Sequence, residues 1–161
     1  MNVRHFTILI IAACSILLSG CRGPKLATAN EQMARGEYFD ASRTYRKVYN
    51  KLTKKEERQL RGEVAFKMAE CHRRLSEYAR ASAAYQNAAR YGYADSTLYL
   101  HMGQCLAAEG KYGPATKAFE DYLQWKPNDR LAQNGLIGAR MGLEKKGQTR
   151  YEVHNAKLFN S

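Results

Sequence analysis

Two stretches of this chain, MAECHRRLSEY at 68–78 and MGQCLAAEGKY at 102–112, place Met, Cys and Tyr identically, 34 residues apart. The match continues downstream. SEYARASAAYQNAA (76–89) lies over GKYGPATKAFEDYL (110–123), pairing Tyr78 with Tyr112, Ala81 with Ala115, Tyr85 with Phe119 and Ala88 with Tyr122. Upstream, GEYFDASRTYRKVY (36–49) supplies Tyr38, Ala41, Tyr45 and Val48, so three copies exist, with starts spaced 40 and then 34. A fixed period of this size means a stack of like units, each burying its apolar face against its neighbours. Few stretches alternate with period two and only three Pro occur, so the units are helical. A chain of 161 residues, 45% hydrophobic, suffices for one domain with a buried core.

These residues resemble the tetratricopeptide repeat, a pair of antiparallel helices. That family carries a small residue in its first helix where Ala29, Ala69 and Gly103 lie. Its second helix carries a small residue at Ala41, Ala81 and Ala115 and an aromatic at Tyr45, Tyr85 and Phe119. The small residues let two helices approach, and the aromatic fills the gap to the next unit. The resemblance implies an all-α solenoid of three helical hairpins, about 22–55, 62–95 and 96–129, with Pro127 ending the third. A capping helix at 130–145 completes a domain spanning 21–145.

Local signals agree. Thr53 and Glu56 form a capping box, so the first helix of copy two is expected to start near Lys54. Asp95 can cap a helix from Ser96, Gly110 can end it, and Pro114 falls in a first turn, where proline is tolerated. Asp129 can cap the last helix. Gly135, Gly138 and Gly142 are costly in that helix unless another helix lies against them.

The repeat also decides what the cysteines are. Equivalent positions of stacked repeats sit on helices about 8–10 Å apart. A disulfide needs α-carbons within about 7 Å, so Cys71 and Cys105 are expected to be buried packing residues. His101 and Cys105 share a face at helical spacing, but two ligands are too few for a metal site. The chain holds no nucleophile elbow, HExxH, Walker loop or GxGxxG. His72 and His101 fall on repeat helices and His154 near the end. No enzyme activity, metal or cofactor is expected.

The first residues have another character. MNVRH is a basic start, and FTILIIAACSILL is an apolar run of 13, too short for a membrane span. The run ends in Leu18-Ser19-Gly20-Cys21, which resembles the bacterial lipoprotein box. That likeness implies a signal peptide over 1–20, lipidation at Cys21 and a palmitate-bearing membrane anchor. Arg22 stands where Asp would retain a lipoprotein in the inner membrane, so the outer membrane is implied. The formal charge of +11 points to acidic neighbours. The densest basic stretch is Arg43, Arg46, Lys47, Lys51, Lys54 and Lys55. It is either a solvated face or a site for an acidic protein or an anionic wall polymer.

In the tetratricopeptide family the first helices line a groove. The likeness places Asn30 and Met33, then Phe66, Lys67, Glu70, Arg73 and Arg74, then Leu100, His101 and Gln104 along it. Arg73 and Arg74 would offer two guanidiniums to carboxylates. Family members that grip a C-terminal carboxylate use Lys and Asn, then Asn, then Lys and Arg. Here those places read Leu26, Asn30, Lys67, Thr97 and His101; only Asn30 matches, so that clamp is not carried over.

The tail at 146–161 changes again: Tyr151 and Val153 alternate with polar residues, as at the start of a β domain. A lipobox, repeats and then YEVHNAKLFNS resemble the N-terminal part of Bacteroidetes outer-membrane lipoproteins of the OmpA family. The resemblance implies a non-enzymatic scaffold facing the periplasm. Its partners would be periplasmic or outer-membrane proteins of a type IX secretion or cell-wall-anchored complex, with a peptidoglycan link through further domains and no nucleic acid. Two rivals are an assembly lipoprotein that binds unfolded porin peptides and a regulator of a peptidoglycan-synthesis enzyme.

Lipidation is directly testable. Cys21→Ser should leave an uncleaved precursor that does not label with palmitate. Unchanged labelling would exclude the anchor.

Overall fold

Each copy of the repeat folds as two helices joined by three residues, the middle one with positive φ: Gly36 at 77°, Ser76 at 58° and Gly110 at 72°. These reversals sit at one repeat position, so the chain turns back identically three times. The computed structural model describes residues 25–53 and 55–145. The hairpins are α1 (Leu26–Ala34) with α2 (Tyr38–Lys51), α3 (Arg58–Arg74) with α4 (Tyr78–Arg90), and α5 (Thr97–Ala108) with α6 (Tyr112–Trp125). The capping helix is α7 (Arg130–Glu144). Each helix packs on the next, and α7 also reaches α5. The described residues contain no strand, so the fold is the all-α solenoid expected.

The small-residue positions of both helices and the second-helix aromatic positions are all buried, whereas the repeated Tyr78 is exposed. Ala29, Ala69, Ala41, Ala81 and Ala115 are fully inaccessible, and Tyr45, Tyr85 and Phe119 are the largest side chains enclosed. One apolar cluster fills the first two hairpins and a second fills the third hairpin and α7; Tyr99 and Met102 pack against both. Phe119 lies between two glycines. A β-carbon on Gly103 would stand 2.9 Å from its ring, and one on Gly135 2.6 Å. Gly142 is held in the same way by Tyr112, at 2.7 Å. Gly138 departs from the expectation: nothing lies within 4 Å of its β-carbon position, so no close helix accounts for it. It belongs to an open face of α7 on which Ile137 and Met141 are 57% and 48% exposed.

The capping signals resolve in two ways. Asp129 accepts from Leu131 N at 2.9 Å and Ala132 N at 3.1 Å, capping α7. Asp95 accepts from Thr97 N at 2.9 Å and starts α5. The helix expected near Lys54 begins instead as a 3₁₀ turn, Lys55–Glu57, and becomes α-helical at Arg58. The expected signal peptide at 1–20, the expected lipidation site Cys21 and the tail at 146–161 lie outside the described residues.

Three substitutions test this packing by urea unfolding. Gly135→Ala should cost about 1–3 kcal/mol, because buried Phe119 has nowhere to move. Gly138→Ala should stabilise by up to about 1 kcal/mol, through helix propensity alone. Ser76→Gly should also stabilise, by about 1 kcal/mol, because a left-handed backbone strains any residue with a β-carbon.

Candidate interaction site

A polar residue on each first helix stands fifteen positions before the aromatic of the second: Asn30 before Tyr45, Glu70 before Tyr85, Gln104 before Phe119. In the antiparallel hairpin that spacing sets the two side by side. Tyr45 Oη donates to Asn30 Oδ1 at 2.7 Å, and Tyr85 Oη donates to Glu70 Oε1. The third copy has Phe, so Gln104 receives no such bond.

The following copy adds a second group to the same acceptor. Lys67 Nζ donates to Asn30 Oδ1 at 3.2 Å, and His101 Nδ1 lies 2.7 Å from Glu70 Oε1. Lys67 and His101 are 34 residues apart and therefore equivalent; the next such position is Gly135, which has no side chain to offer. The first helices are thus tied to one another by a polar ladder with two rungs, and the third is replaced by the ring of Phe119 on glycine.

Glu70 is the most heavily engaged member. It is only 8% exposed and also accepts from Arg73 Nη2 at 2.7 Å and Nε at 3.3 Å. Burial alone would raise its pKa, but bonds from His101, Arg73 and Tyr85 outweigh it and hold the carboxyl at about 2. Burial and the Glu70 bond push the Tyr85 hydroxyl far above its ordinary range. Arg73 is held charged by its bonds to Glu70.

The expected groove residues therefore separate. Asn30, Met33, Lys67, Glu70, Arg73 and His101 converge, with the Met33 sulfur 3.5 Å from Tyr45 Oη. Phe66 is partly buried and stacks on Tyr93 at 4.6 Å, within the second repeat. Leu100 points into the second apolar cluster and is not part of the face. Gln104 is half-buried. The expected pair of free guanidiniums does not form. Arg73 is bound to Glu70, whereas Arg74 turns to the ring of Tyr38, 5.8 Å from its centroid. Cys71 and Cys105 are free and buried; burial pushes their thiols up to about 12 and about 11, so both stay protonated at neutral pH.

One contact went unseen in the sequence. The Arg61 guanidinium sits between Tyr49 and Tyr91, 4.5 and 5.1 Å from their rings. Arg58 lies over Tyr91 and donates to Arg90 O at 2.8 Å. This clamp joins the first two hairpins, yet its members come from different parts of the repeat and leave no periodic mark.

No protein-family model and no curated protein matches the chain. Solved structures do. The first tetratricopeptide domain of Spaghetti (RPAP3), bound to the HSP90 peptide SRMEEVD, is similar at 23% identity and TM-score 0.58, over 73% of this chain and 89% of that one. The first such domain of human RPAP3 gives 22% and 0.58, over 74% and 90%. The Sgt2 domain of Aspergillus fumigatus gives 16% and 0.57, over 80% and 83%. The fold is the tetratricopeptide fold.

The Glu70 knot has a pH signature. Its pKa is lowered on folding, so its stabilisation is complete above the ordinary value of 4.5 and is lost as pH falls toward about 2. Glu70→Ala should cost about 2–3 kcal/mol at neutral pH, less than for a fully buried pair because Arg73 is partly exposed. Glu70→Gln should flatten the loss of stability across that acid window, measured by urea titration at successive pH values.

Proposed function

We propose that this chain is a non-enzymatic, lipid-anchored scaffold that recruits proteins at the periplasmic face of the outer membrane. The observation that carries this reading is the use made of the polar side chains. On the first-helix face they bond to one another and link repeats, leaving an array of hairpins whose faces suit an extended polypeptide. One similar fold, the first domain of Spaghetti (RPAP3), is solved bound to an HSP90 peptide. The cellular setting rests on the sequence. Leu18-Ser19-Gly20-Cys21 supports the anchor and Arg22 the outer membrane, and the likeness to Bacteroidetes OmpA-family lipoproteins, PorE in particular, supports a type IX secretion or wall-anchored complex.

Chemical cross-linking in intact cells, then purification of the tagged chain from solubilised outer membranes, tests this. Envelope proteins should be recovered reproducibly, and Cys21→Ser should abolish their recovery by removing the chain from the membrane. A chain that floats with the inner membrane, or cross-links to nothing, would overturn the reading.

A further inference from the structure

The second helices form a face of their own, and two of its cations, Arg43 and Arg46, have no carboxylate partner among the described residues. A groove of about 460 Å³ runs between α2 and α4, reached from below by Met68 and His72 of α3. Phe39, Arg43, Arg46 and Asn50 recur along one side of α2 at helical spacing and make one wall. The opposite wall of α4 has Ala83 and Ala84 at its centre, and these small side chains leave the trough open. Arg80 and Asn87 flank them.

Charge in this groove is unbalanced. Its one acidic lining residue, Glu77, is already engaged by Arg80 at 2.9 Å and His72 at 2.6 Å. Arg43 lies over the ring of Phe39, 5.7 Å from its centroid, and meets no carboxylate among the described residues. Arg46 has no acidic partner among the described residues. On the first-helix face, by contrast, Lys67 and Arg73 are both paired with glutamates. Phe39 is 56% exposed beside these guanidiniums, an apolar surface that the fold does not cover.

Resting on the scaffold reading above, we propose that the α2–α4 groove is the docking site for an extended acidic segment of a partner protein. Carboxylates of the segment would be held by Arg43 and Arg46, and an apolar side chain would lie on Phe39. Asn50 and Asn87 supply amides that can pair with the segment's backbone. The run from Phe39 to Asn50 is about 16 Å long, room for about five extended residues. A trough with opposed walls and amide groups suits a polypeptide backbone.

The test uses the full chain in detergent and a short fluorescein-labelled peptide of Glu, Asp and Leu. Its control is the same peptide with Gln and Asn. Fluorescence anisotropy should show binding of the acidic peptide alone, weakening with salt. Arg43→Glu with Arg46→Glu should weaken it by about tenfold or more, with the helical circular dichroism unchanged; Arg46→Lys should retain most of it. Lys126→Glu with Arg130→Glu, both exposed and outside the groove, should leave it near wild type. Undiminished binding in the folded Arg43/Arg46 double variant overturns the proposal, as does equal binding of the uncharged control. So does displacement of the peptide by monomeric short-chain phosphatidylglycerol at lower concentration than by unlabelled peptide, which would make the face a lipid contact. Loss of all envelope cross-links with peptide binding intact would refute the scaffold reading and leave the groove standing.

Discussion

Everything in this molecule depends on how closely the two helices of a hairpin approach. Ala29, Ala69 and Gly103 on the first helices and Ala41, Ala81 and Ala115 on the second leave almost no side chain at the crossing. The space beyond each crossing is then filled by one aromatic. Close approach brings hydroxyl and acceptor within bonding range, and the identical αL reversals keep that geometry from one copy to the next. The site is a by-product of this packing: the ladder exists because the aromatic needed for filling is Tyr in two copies, and a buried hydroxyl needs a partner.

The three copies are not equivalent. The acceptor runs Asn30, Glu70, Gln104; the aromatic runs Tyr45, Tyr85, Phe119; the group reaching back runs Lys67, His101, Gly135. Polarity peaks in the middle copy and disappears in the last. Losing the hydroxyl and losing the reaching side chain go together, because a phenyl ring pressed on glycine leaves nothing unsatisfied. Gly135 is therefore explained by Phe119, which also explains why a helix rich in glycine remains a helix there.

The fold was legible because packing leaves a periodic trace. Small and aromatic residues recurring at 34 define helices, hairpins and order of stacking without any distance. The site was less legible. Position on a helix face shows which residues are neighbours, but not which of them neutralise each other. Arg73 and Arg74 look alike in the sequence, yet one turns to Glu70 and the other to Tyr38. Leu100 shares helical spacing with groove positions but is buried in the second apolar cluster. Gly138 matches its neighbours in type but meets nothing.

Charge that serves the fold can be told from charge that does not. On the first-helix face Lys67 and Arg73 each have a carboxylate or amide within bonding distance, so their desolvation is already offset and a ligand would have to break an existing bond to use them. Such groups give rigidity and register. On the α2–α4 side, Arg43 is stacked and Arg46 is unpaired, so a carboxylate arriving there displaces only water. With a formal charge of +11, long-range attraction draws acidic partners toward the chain as a whole, but only unpaired guanidiniums can hold them at one place. The residues that the repeat does not need are therefore the ones left free for a partner. Arg43 and Arg46 lie between the repeat positions Ala41, Tyr45 and Val48, which means the sequence was free to place something else there.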